Sequence, residues 1–203
     1  MGFGSRTVSL IRYRVRGEID GPFWEAVEDG LKRGAFKEVD SAADIIGMGW
    51  TSLDDFTDFS FESASYARAN YAAFALRVDT VRVPPRILEI HFKQESQKLL
   101  QQTQQRRLSA AQGREMKDRL KETLRKGVFP SIQVFDVIWN TSEGMLYFGT
   151  LSIKARERME EHFKKSFGLS LIPLIPYLNA EEILEDKAEK RRLQELKPCS
   201  MAR

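Results

Sequence analysis

Apolar and polar residues change rhythm several times along the chain, and the changes mark out its elements. Over TVSLIRYRVR (7–16) apolar side chains recur at Ile11, Tyr13 and Val15, the two-residue spacing of a strand with one buried face. After Gly21-Pro22 the spacing becomes four, and Phe23, Val27 and Leu31 predict a short helix with Asp20 as its cap and Gly34 as its stop. IIGMGW (45–50) is a brief apolar piece, and SLDDFTDF behind it reads as an acidic loop. SFESASYA and YAAFALRVDTVRV predict two strands facing each other across Arg68-Ala69-Asn70. Pro84-Pro85 ends the second strand and suits the first turn of a following helix.

Two helices are expected next, roughly over 86–105 and 111–127, joined by QQTQQRRLSAAQG. The first places Leu88, Phe92 and Leu99 near helical spacing. The second carries Met116, Leu120 and Leu124 on one side and Arg114, Lys117, Lys121 and Arg125 on another. SIQVFDVIWN and GMLYFGTLS form a hairpin around Thr141 to Gly144, with Phe135, Ile138, Trp139, Leu146, Tyr147 and Phe148 as its expected core. Trp50 is expected either to cap the core or to pack at a subunit boundary. KARERMEEHFKKSFG aligns Ala155, Met159, Phe163 and Phe167 on a helix ended by Gly168, LSLIPLIPY reads as a short buried or edge strand, and AEEILEDKAEKRRLQELK as a charged helix. The order is β-α-β-β, a two-helix insertion, then β-β-α-β. It predicts an α+β fold, an antiparallel-rich sheet with helices on one face and a projecting two-helix insertion. Residues 1–85 and 128–178 form the two halves of the central domain, 86–127 the helical tip, and 179–203 a charged C-terminal helix or tail.

Composition supports a folded domain, since 203 residues with 42% hydrophobic side chains can bury a core and 30% charged residues keep its surface in water. No apolar run is long enough to span a bilayer, and MGFGSRTVSL lacks the pattern of a signal peptide. The single cysteine, Cys199, excludes an internal disulfide and points to a reducing compartment, so a cytoplasmic location is expected, without membrane contact. The net charge of +3 hides a strong unevenness. Residues 1–17 hold four arginines and no acid, residues 18–62 carry a net charge of −9, and residues 86–126 a net charge of +6.

A basic insertion can steer the chain onto phosphates, because Lys and Arg that neutralise them release counterions without reading sequence. The amides of QQTQQRR add donors for a phosphate backbone. The same stripe also reads as a solvated face, or as a dimerisation or partner-binding arm whose charge serves solubility. No zinc-finger or RNA-recognition pattern is present, so any DNA preference should be weak. Asp54, Asp55, Asp58 and Glu62 could hold magnesium for a nuclease or simply form a solvated loop. His91 and His162 are expected on helix surfaces, and with one cysteine they make no convincing zinc site. The handles for acyl transfer, P-loop and dinucleotide chemistry are absent, so neither catalysis nor a cofactor is expected.

SLIRYRVRGEI, MGW at 48–50, the Pro84-Pro85 pair, MKDRLKETLRKGVFP, DVIWNTSEGMLYFG and KKSFGLSLIPLIP resemble the bacterial recombination-associated RdgC family in order and spacing, over roughly residues 7–177. The resemblance implies a non-enzymatic, largely sequence-independent DNA-binding protein. It implies a ring-shaped homodimer around double-stranded DNA, with a basic interior, that restrains RecA-dependent strand exchange on the nucleoid. The helical insertion would be the tip that meets its twin. Family members continue beyond the strand that matches LIPLIP into a C-terminal base region making the other dimer contact, where one charged helix is expected here. Arg114, Lys117, Lys121, Arg125 and Lys126 are the expected phosphate contacts by helix face, followed by Arg86 and Lys93.

Overall fold

The alternation of Ile11, Tyr13 and Val15 does produce a strand, and its partners come from both halves of the chain. The computed structural model describes residues 7–38, 45–62, 64–104 and 106–196. Its elements run β1 (Ile11–Arg16), α1 (Phe23–Arg33), β2 (Ile46–Ser52), β3 (Ala67–Arg68), β4 (Tyr71–Thr80), α2 (Pro85–Thr103) and α3 (Ala110–Arg125), then β5 (Ser131–Asn140), β6 (Met145–Phe148), α4 (Ile153–Phe167), β7 (Ser170–Pro173), α5 (Pro176–Ile183) and α6 (Lys187–Glu195). The seven strands form one antiparallel sheet in the order β2-β4-β5-β6-β1-β7, with β3 paired to β4. This is the α+β architecture that the order of elements predicts.

Register decides which side chains reach the helices. On β4, Ala72, Phe74, Leu76 and Val78 point to one face and lie opposite Trp139, Val137, Phe135 and Gln133 of β5. The same face continues through Leu146 and Phe148 of β6 to Tyr13 and Ile11 of β1. Val27 and Leu31 of α1 and Ala155, Met159 and Phe163 of α4 close over it, so both helices lie on one side of the sheet. Trp50 is fully buried in this core, with its ring edge-on to Phe74 at 5.0 Å and its Nε1–H donated to Ser166 Oγ at 2.8 Å. The choice between core and boundary is thereby settled as core. Gly49 beside it is needed for space, because a Cβ there would stand 2.3 Å from the Phe36 Cα.

Several sequence expectations are corrected. On the edge away from β5, β4 pairs chiefly with β2, whereas only Ala67 and Arg68 of the expected SFESASYA strand pair with it. Pro22, with no side-chain hydrogen bond, occupies the cap position of α1 in place of Asp20, and LSLIPLIPY stays extended only over β7 before Pro176 starts α5. The charged C-terminal helix is two helices broken at residues 184–186, and Cys199 lies outside the described residues. Of the hairpin stripe, Ile138 and Tyr147 point away from α1 and α4, since they alternate with the core residues Trp139, Leu146 and Phe148.

His162 also departs from expectation. Its ring packs 4.7 Å from that of Trp50, and Nε2 lies 2.9 Å from the Gly34 carbonyl oxygen. Burial pushes its pKa below the ordinary histidine value, outweighing the opposing pull of the Gly34 carbonyl. A depressed histidine stabilises the fold fully above its unfolded value near about 6.5, and that contribution is lost as pH falls toward the lower folded value. Thermal melts should therefore show the midpoint dropping across that window. His162→Gln should flatten the drop, and an unchanged pH profile would show that His162 is not its source.

Candidate nucleic-acid interface

The insertion folds as an antiparallel pair, started at Pro85 and restarted at Ser109, whose hydroxyl accepts from the Gln112 N–H while the Gln112 side chain returns to the Ser109 N–H. Met116, Leu120 and Leu124 are half-buried and form the seam with α2, where Met116 Sδ meets Ser96 Oγ at 3.6 Å. Neither helix contains a fully buried side chain, so the pair stands clear of the sheet's core.

The expected phosphate contacts do not form one free stripe. Arg86, Arg114 and Lys126 are exposed and make no ion pair among the described residues, and Arg125 is half-buried without one. Lys117 leans back so that its Nζ sits 4.8 Å from the Phe92 ring centre. Lys121 is 3.0 Å from Asp118 and Lys93 is 3.9 Å from Glu89, both in exposed pairs worth little in water. Arg106 and Arg107 add exposed charge at the tip.

A second cationic surface lies on the sheet. Tyr13 faces the helices, so the two-residue period puts Arg12, Arg14 and Arg16 together on the opposite face. Arg12 stands opposite Tyr147, Arg14 between Met145 and Ile172, and Arg16 opposite Ser170. Arg68 and Arg77 project from the same face at its other side, as their registers with Tyr71 and Gly49 require. Arg77 is committed locally, donating to Asp79 at 2.9 and 2.7 Å and stacking 4.2 Å from the Phe36 ring centre. The alternating arginines in RYRVR were the available signal for this surface. They carry no meaning until the apolar partners between them are known to face a core.

The acidic loop is built as a set of turns. The Asp55 carboxylate accepts from the Thr57 N–H at 2.8 Å and from its hydroxyl at 2.6 Å, which holds its pKa below the usual carboxylate value. Asp58 accepts in the same way from Ser60, and Asp54 pairs with Arg68. Among the described residues no group of three or more His, Cys, Asp or Glu side chains is placed to hold a metal ion. None of the described helices is long and apolar enough to cross a membrane.

An antiparallel sheet covered by helices on one face, carrying arginines on the other and interrupted by a basic helical pair, defines an α+β protein that presents positive charge on two surfaces. The chain belongs to the RdgC family: the family model described as "RdgC: Putative exonuclease, RdgC" matches residues 9–186 of the 203. No curated protein matches it. Membership supports a recombination-associated DNA-binding role in general terms, and the word exonuclease in the description shows no catalysis by itself.

Proposed function

We propose that the protein is a non-catalytic, largely sequence-independent binder of double-stranded DNA that works on the nucleoid and modulates RecA-dependent strand exchange. The observation that carries this reading is the grouping of Arg12, Arg14 and Arg16 on the sheet face opposite α1 and α4, in a chain of the RdgC family. Phosphate contacts come from these residues and from Arg114, Lys117, Lys121, Arg125 and Lys126 of the hairpin, with Arg86 and Lys93 near its root. Arginine suits the task because its planar guanidinium donates two parallel hydrogen bonds to a phosphate.

A second role for the hairpin, as the arm of a homodimer, is favoured by Phe129. This side chain is 93% exposed just beyond α3, and Ile87 and Ile90 are exposed on α2. A groove of about 400 Å³ lined by Pro85, Leu88, Glu89, Phe92, Lys93 and Lys117 lies on the same helix pair. Apolar surface of this kind is usually covered by a partner.

One variant tests both roles. Thr80 and Ser131 are register partners, so residues 82–129 can be replaced by a short turn without stretching β4 or β5. The shortened protein should sediment as a monomer, and its affinity for duplex DNA should depend less steeply on salt. Retention of the dimer rejects the arm, and an unchanged salt slope rejects the hairpin cations as phosphate contacts.

A further inference from the structure

The sheet face that carries the arginines is covered at its far side. Thr51 and Ala75 are register partners that point away from α1 and α4, yet both are fully buried. Phe36, Phe56 and Phe59 gather there around Arg77, and two of the three belong to the acidic segment 53–62. This segment returns to β2 through the Ser52 N–H, which donates to the Asp58 carbonyl at 2.7 Å. It holds the face through two arginines. Asp54 pairs with Arg68, and the Phe56 carbonyl accepts from Arg77 Nη1 at 3.2 Å.

Strained backbone lies at the end of the cover and just beyond it. Phe61, Ala64 and Ala69 have φ values of 56°, 48° and 51°, a region that residues with side chains avoid. Among the described residues, the hydroxyls of Thr51 and Ser65 are buried without a hydrogen-bond partner. Its own ties are water-accessible, with the Asp54 side chain 67% exposed.

We propose that residues 53–60 form an autoinhibitory strap that competes with DNA phosphate for Arg68. This inference rests on the DNA-binding reading. Four strand spacings, about 19 Å, separate the β3 position from β1, a length over which duplex DNA carries roughly eleven phosphates. Arg68 stands level with Arg14 across the sheet, through Tyr71, Asn140 and Met145, so a backbone lying across the strands from Arg14 reaches Arg68, where it meets the Asp54 carboxylate. Binding across the whole face requires Asp54 to release Arg68 and the exposed part of the strap to lift, while Phe61 stays anchored in the core.

The test measures the affinity of the full chain for a short duplex at about 0.1 M salt. Asp54→Asn should raise it roughly tenfold, the gain expected from one added phosphate contact. Glu25→Gln removes the same charge from α1 on the opposite face and should change it less than about twofold. Arg68→Ala should abolish the gain in the Asp54→Asn background and have little effect alone. Hydrogen exchange on the wild type adds a readout independent of mutation: amides of 53–60 should exchange faster when duplex is bound. Equal effects of Asp54→Asn and Glu25→Gln, a gain that survives Arg68→Ala, or strap amides unchanged or slowed by DNA would each overturn the strap. Wild-type binding without the Asp54→Asn gain sinks the strap alone, whereas no binding by either protein rejects the DNA reading and the strap with it.

Discussion

Replacing Arg12, Arg14 and Arg16 together by glutamine is expected to lower the salt slope of duplex binding by roughly two to three units, since each lost phosphate contact removes about 0.9. Between 50 and 200 mM salt the wild-type affinity should then fall roughly forty times further than that of the variant. Glutamine removes the charge but keeps part of the aliphatic stem and a polar end, and none of the three positions belongs to the buried core. The melting midpoint, measured alongside, separates lost phosphate contacts from lost structure. An unchanged slope in a folded variant would remove the sheet face from the interface and leave only the hairpin.

The second large effect concerns Trp50. Its indole fills the space between β2, β4 and α4, touching Phe74, Phe163, Phe167 and His162, and its N–H satisfies Ser166. Trp50→Ala should cost about 3–5 kcal/mol, a large part of the ~5–15 kcal/mol by which domains are usually stable. In a chain of this size the midpoint should fall by on the order of 10 °C. Trp50→Phe keeps most of the apolar contact but leaves Ser166 Oγ unpaired, so a smaller loss of about 1–3 kcal/mol is expected. A tryptophan at a subunit boundary would behave differently, because its removal would change sedimentation more than monomer stability.

Local patterns made much of this fold legible. The helical pair could be read because its seam recurs every four residues and Pro84-Pro85 starts it, while the capping box of Ser109 and Gln112 emerges only in the fold. The β5-β6 hairpin could be read because its turn is short. The partner of β4 could not, since β2 lies some twenty residues upstream and its Gly47 and Gly49 weaken the strand pattern. The reason for Gly49 is the close passage of Phe36, a contact that no local pattern encodes. His162 looked like a surface residue because α4 is charged around it, and only the approach of Trp50 and Gly34 encloses it.

The candidate site was legible to a similar depth. Charge counting found the basic insertion, yet it could not show that Lys117 would lie over Phe92 or that Lys121 would pair with Asp118. It counted the arginines of β1 but gave them no surface, because a net charge along the chain ignores the face on which each residue stands. The acidic loop read either as a magnesium site or as a solvated loop for the same reason: its carboxylates are close in sequence, and in the fold Thr57, Ser60 and Arg68 each take one.

The central claim is that this protein grips the DNA backbone through charge and does not read sequence. Its most direct test is the affinity of the intact wild-type chain for two duplexes of unrelated sequence, measured by fluorescence anisotropy from about 50 to 200 mM salt. The two affinities should agree within about threefold at every salt concentration and fall together along one steep line. No binding at low salt, affinity indifferent to salt, or a large preference for one sequence would contradict the claim.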